Sequence, residues 1–198
     1  MEPNRLAEDP IALRRKAFNL IKERSFARRP VVLSSGKKSN YYLDLKPTML
    51  DPEGADLLCR LIYPRLIKRT VHYIGGLEIG AVPIISALTV FSFFKGRPVS
   101  GFFVRKEAKT HGTMKLIEGV FEGELRGKNV VILDDVTTEG NSAMLAVHAA
   151  RDAGAKIILV LSIVDREVDA AELFKREGVP FEALFRASEF LKATEQAL

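Results

Sequence analysis

The period of apolar and polar positions changes several times along the chain, and each change marks an element. From about 10 to 28, Leu13, Phe18, Leu20 and Ile21 recur among Arg14, Arg15, Lys16 and Lys22, which predicts a helix ended by Pro30. Val31-Val32-Leu33 then opens an extended segment, Ser34 to Asn40 is a turn-forming loop, and Tyr41 to Leu45 alternates as a strand does. After Pro52 a second helix is predicted to about Arg69, with Leu57, Leu58, Leu61, Ile62 and Leu66 on one face. A regular rhythm follows. Strands are predicted at Val71–Ile74, Pro98–Val104, Asn129–Leu133, Lys156–Val164 and Phe181–Phe185, and helices at Ala81–Phe94, Ser142–Ala153 and Asp169–Glu177.

Strands that alternate with helices, several of them apolar throughout, belong in a parallel sheet covered on both faces. The expected fold is therefore α/β and doubly wound, with a mainly parallel central sheet and flanking helices. Residues 1–198 are read as a single domain, to which residues 1–46 contribute an N-terminal helix and a small hood. Such sheets bind ligands beyond the carboxyl ends of their strands. Chemistry is thus sought at Gly75 to Glu78, Arg105 to His111, Asp134 to Gly140 and Asp165-Arg166.

Composition narrows the class. A hydrophobic share of 47% and a charged share of 28% fit a soluble globular chain and exclude a disordered or collagen-like one. The longest apolar run, Ala81 to Phe94, is shorter than the ~20 residues of a membrane helix and holds Pro83, so no membrane partner is expected. Cys59 stands alone, which excludes an intrachain disulfide and a cysteine metal cluster and fits a reducing cytoplasm. His72, His111 and His148 show no metal-ligand spacing. The net charge of +5 is local: residues 1–46 hold eleven basic and five acidic residues, whereas the rest holds 19 and 20. A solvated helix, an anionic small molecule or a nucleic acid would each explain that excess.

The strongest chemical signal is Val130-Val131-Ile132-Leu133-Asp134-Asp135-Val136-Thr137-Thr138-Glu139-Gly140-Asn141-Ser142. An apolar strand ends in two acids, and a Thr- and Gly-containing turn opens a helix. Free N–H groups, hydroxyls and the helix dipole at such a turn suit a phosphate monoester, and the carboxylates can accept from vicinal hydroxyls. Neither G-x-x-x-x-G-K-[ST] nor G-x-G-x-x-G occurs, which argues against a nucleoside-triphosphate loop and a dinucleotide fold.

This segment resembles the phosphoribosyl diphosphate (PRPP) motif of type I phosphoribosyltransferases. The resemblance implies that Asp134 and Asp135 take the ribose hydroxyls, while Thr137, Thr138, Glu139 (through its N–H, its side chain pointing outward), Gly140, Asn141 and Ser142 line the 5′-phosphate site. Arg105-Lys106-Glu107-Ala108-Lys109-Thr110-His111-Gly112 resembles the catalytic loop of the orotate phosphoribosyltransferase family. There Lys109, with Arg105, Lys106 and His111, would stabilise a pyrophosphate leaving group, as clustered cations in a closed site can. Because that loop reaches a neighbouring subunit in the family, the resemblance also implies a homodimer.

Leu33 to Asp44 is similar to the family's Ser-Gly-x-x-Ser-x-Tyr hood, which sets Tyr42 and Leu43 at the base and Ser34 where some members carry a lysine. Arg166 stands where the family binds the orotate carboxylate, and Thr138 beside the base. Gly75 to Pro83 resembles the loop that approaches pyrophosphate through backbone N–H groups; some members have a lysine at the position of Ile79, and Glu78 is expected to help position a metal-bound water. These matches span residues 31 to 166 in family order. They imply transfer of phosphoribose from PRPP to orotate in pyrimidine biosynthesis, with Mg²⁺ held mainly through PRPP and water and no direct protein ligand assigned. A purine-base phosphoribosyltransferase and a non-catalytic PRPP-sensing regulator are the rivals. With Lys37, Lys38 and the Arg105 to Lys115 cluster facing anionic substrates, nucleic acid is no longer needed to explain the charge.

Overall fold

The computed structural model describes residues 9–32, 38–107 and 116–195, so the predicted site residues Lys109 and His111, and Ser34, lie outside the described residues. In chain order the elements are α1 Pro10–Arg24, β1 Phe26–Ala27, β2 Val31–Val32, β3 Lys38–Ser39, β4 Tyr42–Leu43, α2 Lys46–Met49, α3 Pro52–Ile67, β5 Tyr73–Gly75 and α4 Val82–Phe94. They continue as β6 Ser100–Gly101, β7 Phe103–Val104, β8 Ile117–Glu118, β9 Asn129–Thr137, α5 Asn141–Asp152, β10 Lys156–Asp165, α6 Ala170–Arg176, β11 Phe181–Arg186 and α7 Ala187–Glu195.

Five strands form one sheet in the order β11-β10-β9-β5-β6, with every pairing parallel. The doubly wound α/β reading therefore holds. Alternation along β9 divides its side chains between the two layers. Val131 and Leu133 face a core shared with α1, α3, α4 and α7, whereas Val130 and Ile132 face one built with α5 and α6. Aromatic stacking fastens the N-terminal helix to the C-terminal one, the Phe18 and Phe190 rings lying 4.4 Å apart.

The first helix ends earlier than the predicted residue 28. It starts where the Asp9 side chain accepts the Ile11 N–H at 3.1 Å, and it stops at Ser25. Phe26 and Ala27 leave it because they pair antiparallel with Leu43 and Tyr42. The predicted strand Pro98–Val104 also divides. β6 pairs with β5, and β7 turns to an antiparallel ribbon with β8, which carries the chain out at Arg105 and back at Leu116. Gly75 permits that crossing, since the Phe102 ring fills the space a side chain at 75 would need.

Candidate active site

β9 carries the apolar run to the carboxyl edge of the sheet and delivers Asp134 and Asp135 there. Burial, reinforced by the neighbouring Asp135 charge, pushes the Asp134 carboxyl up to about 7. Its Oδ2 accepts the Thr137 hydroxyl at 2.6 Å. Burial raises Asp135 as well, against the Val136 N–H and the Lys46 charge. Gly80 sits so close that a Cβ there would fall 2.6 Å from Asp135 Oδ1. The atom in the way is the movable end of a side chain, so Gly80→Val is cheap for the fold and displaces the carboxylate. We expect the affinity for a ligand held at Asp135 to fall about tenfold with the melting temperature nearly unchanged, as titration and scanning calorimetry can read.

Past the acids, Gly140 adopts φ +84° at the head of α5, a left-handed conformation that lets the chain enter the helix at once. No side chain caps that helix, so its first N–H groups and the positive end of its dipole are open to an anion. Thr138, Glu139, Gly140, Asn141 and Ser142 line the cleft in front of it. Thr137 differs from the sequence expectation: it is fully buried and gives its hydroxyl to Asp134 rather than to the cleft. Glu139 also borders the cleft, and its carboxylate accepts from Asn141 Nδ2 at 3.2 Å on the exposed side.

β10 ends beside β9, and the Arg166 N–H donates to the Thr137 carbonyl at 2.8 Å. Arg166 is only 8% exposed. Its Nη2 donates to Ser39 Oγ at 2.9 Å, and its guanidinium carbon lies 4.2 Å from the Tyr41 ring centre. Burial raises the Tyr41 hydroxyl, with the Arg166 charge opposing. Tyr42 stands over the same cleft, its hydroxyl donating to Asp44 Oδ2 at 3.2 Å. Leu43 reaches the cleft only by its edge, because pairing with Phe26 places most of it in the core.

Together these residues bound a cleft of about 520 Å³ that contains Asp134, Asp135, the head of α5, Arg166, Tyr42 and Lys46. Lys46 is not singled out in the sequence; Ser39 and Tyr41 are the second Ser and the Tyr of the hood pattern, which gives no sign of their contact with Arg166. Lys46 Nζ lies 2.7 Å from Asp44 Oδ1, and that hydrogen bond raises the lysine while the Asp135 charge adds to it. Burial alone would raise Asp44, yet the hydrogen bonds and charge of Lys46 hold its carboxyl below the usual value. The only signal for Lys46 in the sequence is position, four and five residues past the hood tyrosines. A second cleft of about 530 Å³ lies between β8 and the far end of α5, lined by Leu116, Phe121, Leu125 and Asp152 among others. It brings no paired acids to a strand end, so the chemistry favours the first.

Arg105 and Lys106 stand apart from the residues lining the cleft, on the stem that β7 and β8 form. The Arg105 N–H donates to the Leu116 carbonyl at 2.9 Å. Glu78, in the loop after β5, faces them: Oε1 accepts the Lys106 N–H at 3.1 Å, and Oε2 lies 3.9 Å from Arg105 Nη1. Among the described residues no three His, Cys, Asp or Glu gather as a metal site.

No family model matches the chain. It is 54% identical over 183 residues to the orotate phosphoribosyltransferase of Bradyrhizobium diazoefficiens, covering 92% of this chain and 98% of that protein. With the orotate phosphoribosyltransferase of Rhodopseudomonas palustris it shares 52% identity over 181 residues, 91% of this chain and 97% of that one. Among solved structures, that of Mycobacterium tuberculosis orotate phosphoribosyltransferase in complex with PRPP superposes with a TM-score of 0.74 at 33% identity, covering 90% of this chain and 98% of the other.

Proposed function

The chain belongs to the orotate phosphoribosyltransferase family, and we propose that its cleft joins orotate to the ribose of PRPP, releasing pyrophosphate and giving orotidine 5′-monophosphate for pyrimidine biosynthesis. One observation carries the division of roles: a buried acid pair, an uncapped helix head and a clamped arginine open on one cleft. PRPP lies with its ribose at Asp134 and Asp135 and its 5′-phosphate at residues 138–142. Orotate enters under the hood beside Tyr42, Leu43 and Thr138, with its carboxylate on Arg166, where a planar fork pairs with two oxygens at once.

The C1′–O bond breaks through an oxocarbenium-like state, and the orotate ring nitrogen attacks from the opposite face. The carboxylates lie near the positive charge that develops on the ribose. Lys109, with Arg105, Lys106 and His111, stabilises the departing pyrophosphate. Asp134 and Asp135, hard oxygen donors at the cleft, would hold Mg²⁺ together with PRPP oxygens and water. When bound, the ion neutralises charge on the diphosphate.

The functional unit is a homodimer that shares the catalytic loop across its interface. An apolar strip on α4, with Val90, Phe93 and Phe94 exposed, supports a second copy as its cover. Among the described residues no helix is long and apolar enough to cross a membrane. The lone, buried Cys59 and the nucleotide-building reaction support a cytoplasmic setting.

Orotate consumption that requires both PRPP and Mg²⁺ tests the assignment; turnover of adenine, guanine or xanthine instead would overturn it. Arg166→Ala should raise the KM for orotate about 30-fold, the loss expected for a charge-assisted pair, and move the KM for PRPP far less. Equal effects on the two substrates would make Arg166 a structural residue only.

A further inference from the structure

Glu78 is an acid placed directly against the stem cations assigned to pyrophosphate. Its backbone N–H donates to the Val104 carbonyl at 2.8 Å, which ties the loop after β5 to the stem. Its side chain then holds the Lys106 N–H at 3.1 Å with one oxygen and approaches Arg105 with the other. The Arg105 contact is an ion pair at 3.9 Å, longer than a hydrogen bond. Arg105 Nε, meanwhile, is buried and finds no hydrogen-bond partner among the described residues. A buried guanidinium N–H without an acceptor is costly, and an anion arriving there relieves that cost. The guanidinium is thus turned toward a weak resident partner while keeping a donor for a stronger one.

We propose that Glu78 is the resident counter-ion of the diphosphate stem: its carboxylate holds Arg105 and the Lys106 N–H in place and yields Arg105 to the diphosphate, and so sets how tightly pyrophosphate is retained. This role rests on the assignment of Arg105 to pyrophosphate. Glu78 positions the cations and, being negative, opposes the anion they bind. A second consequence is kinetic, since a site built from cations alone would hold its product too long to turn over quickly.

Glu78→Gln keeps an oxygen for the Lys106 N–H and removes the charge. Titration calorimetry with inorganic pyrophosphate at fixed Mg²⁺ should show binding about fivefold tighter in Glu78→Gln, the size expected when one carboxylate stops repelling an anion across a partly solvated site. The KM for orotate should not move. Loss of a merely structural contact would not tighten an anion. In an Arg105→Ala background the gain should vanish, because the charge Glu78 balances is gone. Unchanged or weaker pyrophosphate binding in Glu78→Gln, or the same gain without Arg105, would overturn the proposal. So would a raised Mg²⁺ requirement with pyrophosphate affinity unmoved, which would make Glu78 a holder of metal-bound water. If Arg105→Ala alone leaves pyrophosphate affinity unchanged, the stem assignment fails and the counter-ion role fails with it.

Discussion

Asp134→Asn should yield a protein that is more stable above pH 7 and turns over about a hundredfold more slowly. The carboxyl is held near 7 in the folded chain, against an ordinary value of 3.8. A group whose folded value is raised binds more protons folded than unfolded between those limits. Its contribution to stability therefore falls as pH rises from about 4 to about 7 and stays at the lower level beyond. Asparagine cannot ionise, so it escapes this loss, and its amide oxygen can still accept the Thr137 hydroxyl. The gain at pH 8 should be about 4 kcal/mol and should vanish at pH 4, which thermal unfolding at the two values can measure. An equal shift at both would contradict the burial account. Activity falls because the amide lacks the negative charge that ribose hydroxyls and a developing oxocarbenium require. The strand end is thus held in a costly protonation state for the sake of the reaction, as functional acids commonly are.

Lys109→Ala should lower kcat by about two to three orders of magnitude with the fold intact, because a fixed cation is worth most where charge builds on a leaving group in a water-poor site. The proposed dimer gives the same variant a second use. Mixing Lys109→Ala chains with Asp135→Asn chains should restore about a quarter of normal activity, since half of the dimers formed at random are mixed and each then holds one intact site. No recovery on mixing would confine the loop to its own subunit, and undiminished kcat in the single variant would remove Lys109 from the mechanism.

What could be read in advance was whatever the chain encodes locally. Four apolar residues before Asp134-Asp135 announce a buried strand, and Thr138 to Ser142 announce a turn into a helix. The parallel sheet and the acid pair at its edge follow almost directly. Distant return of the chain was not legible. Ala27 and Arg28 suit a helix by propensity, yet pairing of Phe26 and Ala27 with Leu43 and Tyr42 overrides it. The same return brings Ser39 and Tyr41 to Arg166, more than a hundred residues later, and swings Lys46 to face Asp135. The hydroxyl of Thr137 was assigned to phosphate because its type fits, whereas burial directs it to the nearer unsatisfied carboxylate.

The clamp on Arg166 bears on which bases the cleft refuses. Its partners, the Ser39 hydroxyl and the Tyr41 ring, are both neutral, and together they fix the rotamer before any substrate arrives. In the proposed placement, orotate meets an arginine whose freedom was already lost on folding. In the same placement, a pyrimidine of the same shape without the carboxylate would cover a nearly inaccessible cation and leave its remaining donors without an acceptor, at a cost larger than the missing contact alone. Rejection of an uncharged ring would then follow from the fold itself, as a penalty that only an acid removes.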